Sequence, residues 1–254
     1  MPSHLSNIGF QLESEADFVK LAEQVYEAGQ AWEVDRGTYI KWAPGDGIEL
    51  WLQLDAHGDI IGLNPHFRGK GLMRAALTHE IFRADGTLLD GAFHAWANPS
   101  ADDPKSGDFP FVFDVPDFYL AKPKLPAVLD VQLAAFAHEL QSYESDQTYD
   151  EGQTGEIKFA AESFIPAGLF FPGSDEVDPP EAHALFSGDV RATALITNPV
   201  TGHEFCWAQV TTLGGEMDVV ADPVLLNGLL VEGGVVSGTF WLSGRLLHGN
   251  DSHA

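Results

Sequence analysis

The chain of 254 residues has a single cysteine, Cys206, so it builds no internal disulfide, a usage that fits a reducing compartment. Basic side chains are scarce as well: Lys and Arg total 13 against 38 Asp and Glu, for a net charge of −25. The imbalance deepens along the chain, with 19 acidic and 3 basic residues from Leu125 onward. Such a surface repels phosphate backbones and anionic lipid at long range, which argues against nucleic acid and membranes as partners. Apolar runs fall far short of the roughly 20 residues that cross a bilayer. The opening Met-Pro-Ser-His-Leu-Ser has neither the basic n-region nor the apolar h-region of a secretory signal, so the expected location is cytoplasmic. Gly-x-Ser-x-Gly, His-Glu-x-x-His, the P-loop and the Rossmann glycine fingerprint are all missing. Without a complete catalytic signature, the sequence leaves open whether the chain is an enzyme.

What is there is a globular composition, 44% hydrophobic and 20% charged, long enough for one large domain or two small ones. The organising stretch is Gly45 to Gly69. Ile48, Leu50, Leu52 and Leu54 alternate with Glu49, Trp51, Gln53 and Asp55, the period of a strand with two unlike faces. A tryptophan between a glutamate and a glutamine marks the second face as a ligand-sized surface or as one covered by a second layer of protein. Before it, Ile8, Phe10 and Leu12 alternate with Asn7, Gly9 and Gln11 and predict a first strand. Ser14-Glu15-Ala16-Asp17 then forms a capping box, Phe18, Leu21, Ala22 and Val25 define one helix face, and Gly29 supplies the stop. Gly37–Trp42 reads as the next strand.

This strand–helix–strand–strand–strand order resembles one module of the vicinal oxygen chelate, or glyoxalase-like, superfamily. The resemblance covers about the first 70 residues: His4-Leu5 before strand and helix, Gly37-Thr38-Tyr39-Ile40, and Gly47-Ile48-Glu49-Leu50. It implies a divalent metal held near Glu49, with the metal polarising a substrate oxygen while a carboxylate moves a proton. Strand parity alone turns His4 away from the Glu49 face, unless a bulge precedes Asn7.

Beyond it, Met73–Phe82, Gly91–Trp96 and Phe109–Phe118 read as strands, the last confined by Pro110 and Pro116 to an edge or a short central piece. Val128–Leu140 fits helix or strand, with the alternation favouring strand. Gln141 to Glu156 is acidic and nearly free of aliphatic residues, an expected linker or mobile loop, and Pro172 to Glu181 is a second. Phe159–Phe171 carries enough apolar side chains to dock as a strap. Ser187–Thr197 and His203–Thr212 flank a glycine-containing turn, and Val235–Leu247 is a long final strand interrupted by Gly238 and Gly244. In strand order this end resembles an oligonucleotide/oligosaccharide-binding (OB) barrel. The expected class is therefore α+β, mostly β: a βαβββ-type sheet unit over 1–140, an acidic linker over 141–156, and a small β-barrel over 157–254.

The candidate ligand face combines Glu49, Trp51 and Gln53 with Asn7 and Gln11 by parity. Glu49 with His66, His94 and His4 is a chemically sensible donor set for a divalent metal, against a bland reading of a polar face under solvent or protein. His138-Glu139 lacks the second histidine of a zinc motif, and His79, His183 and His203 are expected to be solvated. Two functions follow: a small-molecule or metal-dependent site in the N-terminal half, or an acidic, non-enzymatic interaction protein that recognises a basic partner.

Overall fold

The computed structural model describes residues 3–101, 103–155, 157–169 and 179–247. Helix α1 (Glu15–Ala28) begins where expected, with Ser14 Oγ accepting from the Asp17 N–H at 3.3 Å and Asp17 Oδ2 accepting from the Ser14 N–H at 3.0 Å. Leu21, Ala22 and Val25 form its buried face. At its end a Cβ on Gly29 would lie 2.5 Å from Ile40 Cγ2, so only glycine lets Ile40 come this close.

Four antiparallel strands follow as a meander, β1 (Gln30–Val34), β2 (Gly37–Gly45), β3 (Ile48–Leu54) and β4 (Ile60–Phe67). Asp46 and Gly47, at φ 52° and 79°, make the tight β2–β3 turn that suits the twist of the strands. The first strand expected from Ile8, Phe10 and Leu12 is not formed. Ser6–Ile8 is a 3-10 turn closed by Gly9, and Ile8 and Phe10 are buried by turning inward rather than by strand alternation. The sheet therefore reads αββββ, with β1 in place of the expected opening strand.

The other ten strands form one mixed sheet: β5 (Met73–Ile81), β6 (Ala92–Ala97), β7 (Pro110–Asp114), β8 (Ala127–Tyr143), β9 (Ser163–Ile165), β10 (His183–Thr197), β11 (Glu204–Thr212), β12 (Gly215–Ala221), β13 (Leu226–Asn227) and β14 (Val235–Leu247). The central pair is β8 with β14, antiparallel from Tyr143↔Val235 to Asp130↔Leu247. Pairings β8–β12–β11–β10–β14 and back to β8 close one hydrogen-bonded ring. Pairings β8–β5–β6–β7–β14 close a second, through the single parallel pair Asp114↔Ser243. Strands before residue 115 and after residue 182 thus share one sheet through β8, where separate units were expected. The 141–156 stretch is in regular structure over most of its described length. Its first three residues complete β8, and Asp146–Gly152 is helix α3, capped by Ser145 with Thr148. A four-residue helix α2 (Phe118–Ala121) lies between β7 and β8.

Strand parity sorts the core. Val131, Leu133, Ala135 and Ala137 of β8 join Phe93, Phe111, Phe113, Phe186, Phe240 and Leu242 in the cluster enclosed by the ten-stranded sheet. Ala134 and Phe136 of the same strand face the other way, into the cluster that holds α1, Leu50 and Leu52. The apolar strap is docked through Phe164, whose ring stacks on Phe109 at 4.2 Å. Its Phe170-Phe171, and most of the second polar stretch, lie outside the described residues. No helix among the described residues is long and apolar enough to cross a membrane.

Candidate functional site

The even face of β3 packs on the helix, as its alternation predicts: Ile48, Leu50, Leu52 and Leu54 share a cluster with Leu21, Ala22 and Val25. The odd face is covered as well. Glu49, Trp51 and Gln53 are 2%, 5% and 0% exposed, so a second layer of protein, not solvent, lies over them.

Glu49 Oε1 pairs with Lys41 Nζ at 2.7 Å, and the same ammonium sits 4.9 Å from the Trp51 ring centre. Burial works against the charged form of Glu49, but the His66 imidazole and the Lys41 ammonium outweigh it and hold the carboxyl below its ordinary value. His66 stands directly opposite Glu49 on β4 and is fully buried. Its Nδ1 lies 2.9 Å from Ser243 Oγ and its Nε2 3.0 Å from Gln132 Oε1, which spends both ring nitrogens on β14 and β8. Burial depresses its pKa, against the pull of Glu49. Gln132 in turn donates to Asp218 Oδ2 at 3.0 Å. Asp218 also accepts from the Lys70 and Gly71 N–H groups and from Trp207 Nε1, at 2.9 to 3.0 Å, so a fully buried carboxylate is satisfied without a cation beside it.

The other expected site residues are elsewhere. Asn7 donates to the Ala137 carbonyl and accepts from the Asp222 N–H, and Gln11 donates to Asp222 Oδ2 at 2.7 Å. Both anchor the N-terminal segment and neither shares the Glu49 face, because the strand that placed them there is absent. His94 bonds Thr78 on β5 at 2.7 Å, and its ring meets His79. His4 stacks on Trp241 at 4.2 Å and meets His138. Glu49, His66, His94 and His4 therefore do not converge as a donor set. Among the described residues no three His, Cys, Asp or Glu side chains are placed to hold a metal ion. Cys206 is buried, and burial pushes its thiol up, as expected for an inert core cysteine.

At the margin of this interlayer the two sheets part into a cleft of about 270 Å³. Asn64 of β4, placed opposite Trp51, brings the odd face of the small sheet to its wall. The loop after β5 supplies Arg83 and Asp90, β7 ends at Asp114, and β14 contributes Trp241 and Ser243. Asp90 Oδ1 accepts from Gln53 and Asn64, both at 2.8 Å, and its Oδ2 accepts from the Thr87 N–H. Arg83 Nη1 pairs with Asp114 Oδ1 at 2.6 Å, and Nε donates to the Pro180 carbonyl at 3.1 Å. Arg83 Nη2 is buried without a hydrogen-bond partner among the described residues. Trp241 Nε1 donates to Asp114 Oδ2 at 2.6 Å. Burial pushes the Asp114 carboxyl up, Arg83 and the indole N–H pull it down, and Asp90 adds to the rise, with a net upward shift.

Arg83, Asp90, Asp114 and Trp241 were not singled out from sequence. The only signal was position: Arg83 is one of 13 basic residues and directly precedes an Ala-Asp-Gly turn. Comparisons with protein-family models, curated proteins and solved structures return no match, so the cleft is read from its own chemistry.

Proposed function

We propose that the chain binds a small, neutral, hydroxyl-rich molecule of about monosaccharide size in the cleft between its two sheets. The observation that carries this reading is Arg83. Its Nε and Nη1 are fixed by Pro180 and Asp114, while Nη2 is a buried donor with no partner among the described residues. A buried donor left unpaired costs about 1–3 kcal/mol, which a ligand oxygen at that point would recover. The same cleft is rich in acceptors, with Asp85, Asp90 and Asp114 on its wall. Three carboxylates around one already paired guanidinium repel a phosphate or a second carboxylate. Hydroxyl groups suit both kinds of partner, since each can accept from Arg83 and donate to Asp or Asn. Trp241 and Phe82 supply apolar surface for the ring of such a ligand. At about 270 Å³ the cleft is smaller than the roughly 300–1,000 Å³ of drug-sized sites, which sets the scale of the molecule.

The test is a thermal-shift and calorimetric panel of neutral monosaccharides and polyols beside their phosphorylated counterparts. Neutral members should bind, their phosphates should not, and Asp114→Asn should weaken binding at least tenfold, the cost of about 1.4 kcal/mol. Tighter binding of the phosphates, or neutral binding unchanged in Asp114→Asn, would overturn the reading.

A further inference from the structure

Trp241 has a second set of neighbours besides the cleft wall. His183 stands directly opposite it on β10. On β8, Ala137 pairs with Phe240 and Glu139 with Thr239, so His138 is the extra residue of a β-bulge, a device that re-aims a side chain. His4, just before the N-terminal 3-10 turn, lays its ring flat on the indole, 4.2 Å away and 8° from parallel. Its Nε2 lies 3.2 Å from His138 Nε2, and the His138 and His183 ring centres are 5.2 Å apart. The same indole donates through Nε1 to Asp114 in the cleft. We infer that His4 is a positioning residue for the cleft: in its neutral form it clamps Trp241 in place, and protonation of His4 releases the clamp.

The Trp241 ring lies between Phe136 and His4, with ring centres 5.0 and 4.2 Å away, so departure of His4 removes one of the aromatic contacts that fix its plane. The Nε2–Nε2 contact makes that departure depend on protonation. Between the two nitrogens there is room for one proton, with one ring donating and the other accepting. A proton on His138 alone is compatible with the bond, because its Nε2 still donates. A further proton on His4 sets two N–H groups against each other and breaks it. Stacking on the indole favours a cation at His4. Burial and the His138 and His183 imidazoles outweigh that attraction and lower the His4 pKa from 6.5 to about 4. The nearby carboxylates serve the other two rings: Glu139 acts on His138, and Glu181 Oε2 meets His183 Nδ1 at 2.8 Å. The clamp is therefore at full strength above about pH 6.5 and weakens as pH falls toward 4, by up to about 300-fold, the ratio of the two acid constants. The residues after His4 stay in place, since Leu5 is buried and Asn7 bonds the Ala137 carbonyl and the Asp222 N–H. Release is confined to the His4 side chain.

The readout is the ¹⁵N-indole resonance of Trp241 in the ligand-free full chain from about pH 7.5 to about pH 4, with Trp207 as reference. A Trp241 step is expected that tracks the His4 ring protons while Trp207 stays fixed. His4→Phe keeps the stack without a titrating nitrogen and should remove the step. Asp114→Asn removes the other titrating group at the indole and should retain it. His4→Ala should place the Trp241 resonance at neutral pH where acid places it in the native chain. The absence of a step, a step that survives His4→Phe, or one lost in Asp114→Asn would overturn the inference. So would a Trp207 resonance that moves alongside, the mark of acid unfolding. Control of a ligand by this clamp rests on the reading of the cleft given above, whereas the Trp241 step is read without ligand. Affinity for a neutral monosaccharide should fall across the same step; an affinity unchanged there overturns the inference, while absence of sugar binding sinks only the earlier reading.

Discussion

On one face of β3, Leu50 and Leu52 press into aliphatic side chains from α1 and the N-terminal turn; on the other, Glu49 and Gln53 are just as buried but lie among ion pairs and hydrogen bonds. The apolar face is non-directional and tolerates small shifts of the helix. The polar face is directional: His66, Gln132, Asp218 and Ser243 each bond in one geometry, so they fix how the four-stranded sheet seats on β8 and β14. Burial alone therefore does not describe a layer. The cleft opens where the polar layer runs out, with Asp90 linking the two through Gln53 and Asn64.

Substitutions can break this comparison at either face. The largest effect is expected from Asp218→Ala, which removes the acceptor of Trp207 Nε1 and of the Lys70 and Gly71 N–H groups, and leaves Gln132 Nε2 with the Phe67 carbonyl alone. A loss of about 4 kcal/mol or more in urea unfolding is expected, beyond that of an apolar truncation. Leu50→Ala should follow at about 2–5 kcal/mol, a simple cavity cost. If Asp218→Ala proves the milder of the two, the polar layer is not what seats the sheet.

Acid separates the faces further. The pKa of His66 is lowered by burial, so between its folded value and about 6.5 the unfolded chain binds a proton that the native chain refuses. Its contribution is full above about pH 6.5 and is lost as pH falls, with a slope of at most about 1.4 kcal/mol per pH unit. His94, also lowered by burial, adds in the same direction. Urea unfolding from pH 8 to 5 should show this decline, and His66→Gln should flatten it; an unchanged slope would mean that His66 is not held neutral. The smallest effect belongs to the helix. Ser14→Ala removes a surface capping box and should cost about 1 kcal/mol in the same assay. Phe18, expected as a core residue, is only partly buried, so its truncation should fall below the about 3–5 kcal/mol of a fully buried phenylalanine.

Local signals in the sequence translated into structure where the chain's own chemistry sufficed. The capping box, the α1 face, the alternation of β3, the turn after Thr197 and the bounds of β14 were legible because each depends on residues a few positions apart. The strand through Ile8 was misread because a short apolar alternation fits any segment that buries every second side chain, and here a 3-10 turn does so. The acidic 141–156 stretch reads as a linker because it is nearly free of aliphatic residues, yet Tyr149 is buried at 3% exposure and bonds Ser187. What covers the odd face of β3 was not legible, since alternation fixes which side chains share a face and says nothing of the partner. The same limit hid the cleft and the contact of His4 with His138. Arg83 meets Asp114 across 31 positions, and His4 meets His138 across 134.

Trp241 offers the most direct measurement of ligand binding in the cleft, because its indole N–H is bonded to Asp114 at 2.6 Å within the proposed recognition wall. Trp207, bonded to Asp218 in the sealed layer, is an internal control. In a ¹⁵N-indole NMR titration with the best-binding neutral monosaccharide, the Trp241 resonance should move in a saturable way while that of Trp207 stays fixed. Saturable binding that leaves the Trp241 resonance in place, or that moves both indoles alike, would contradict the account.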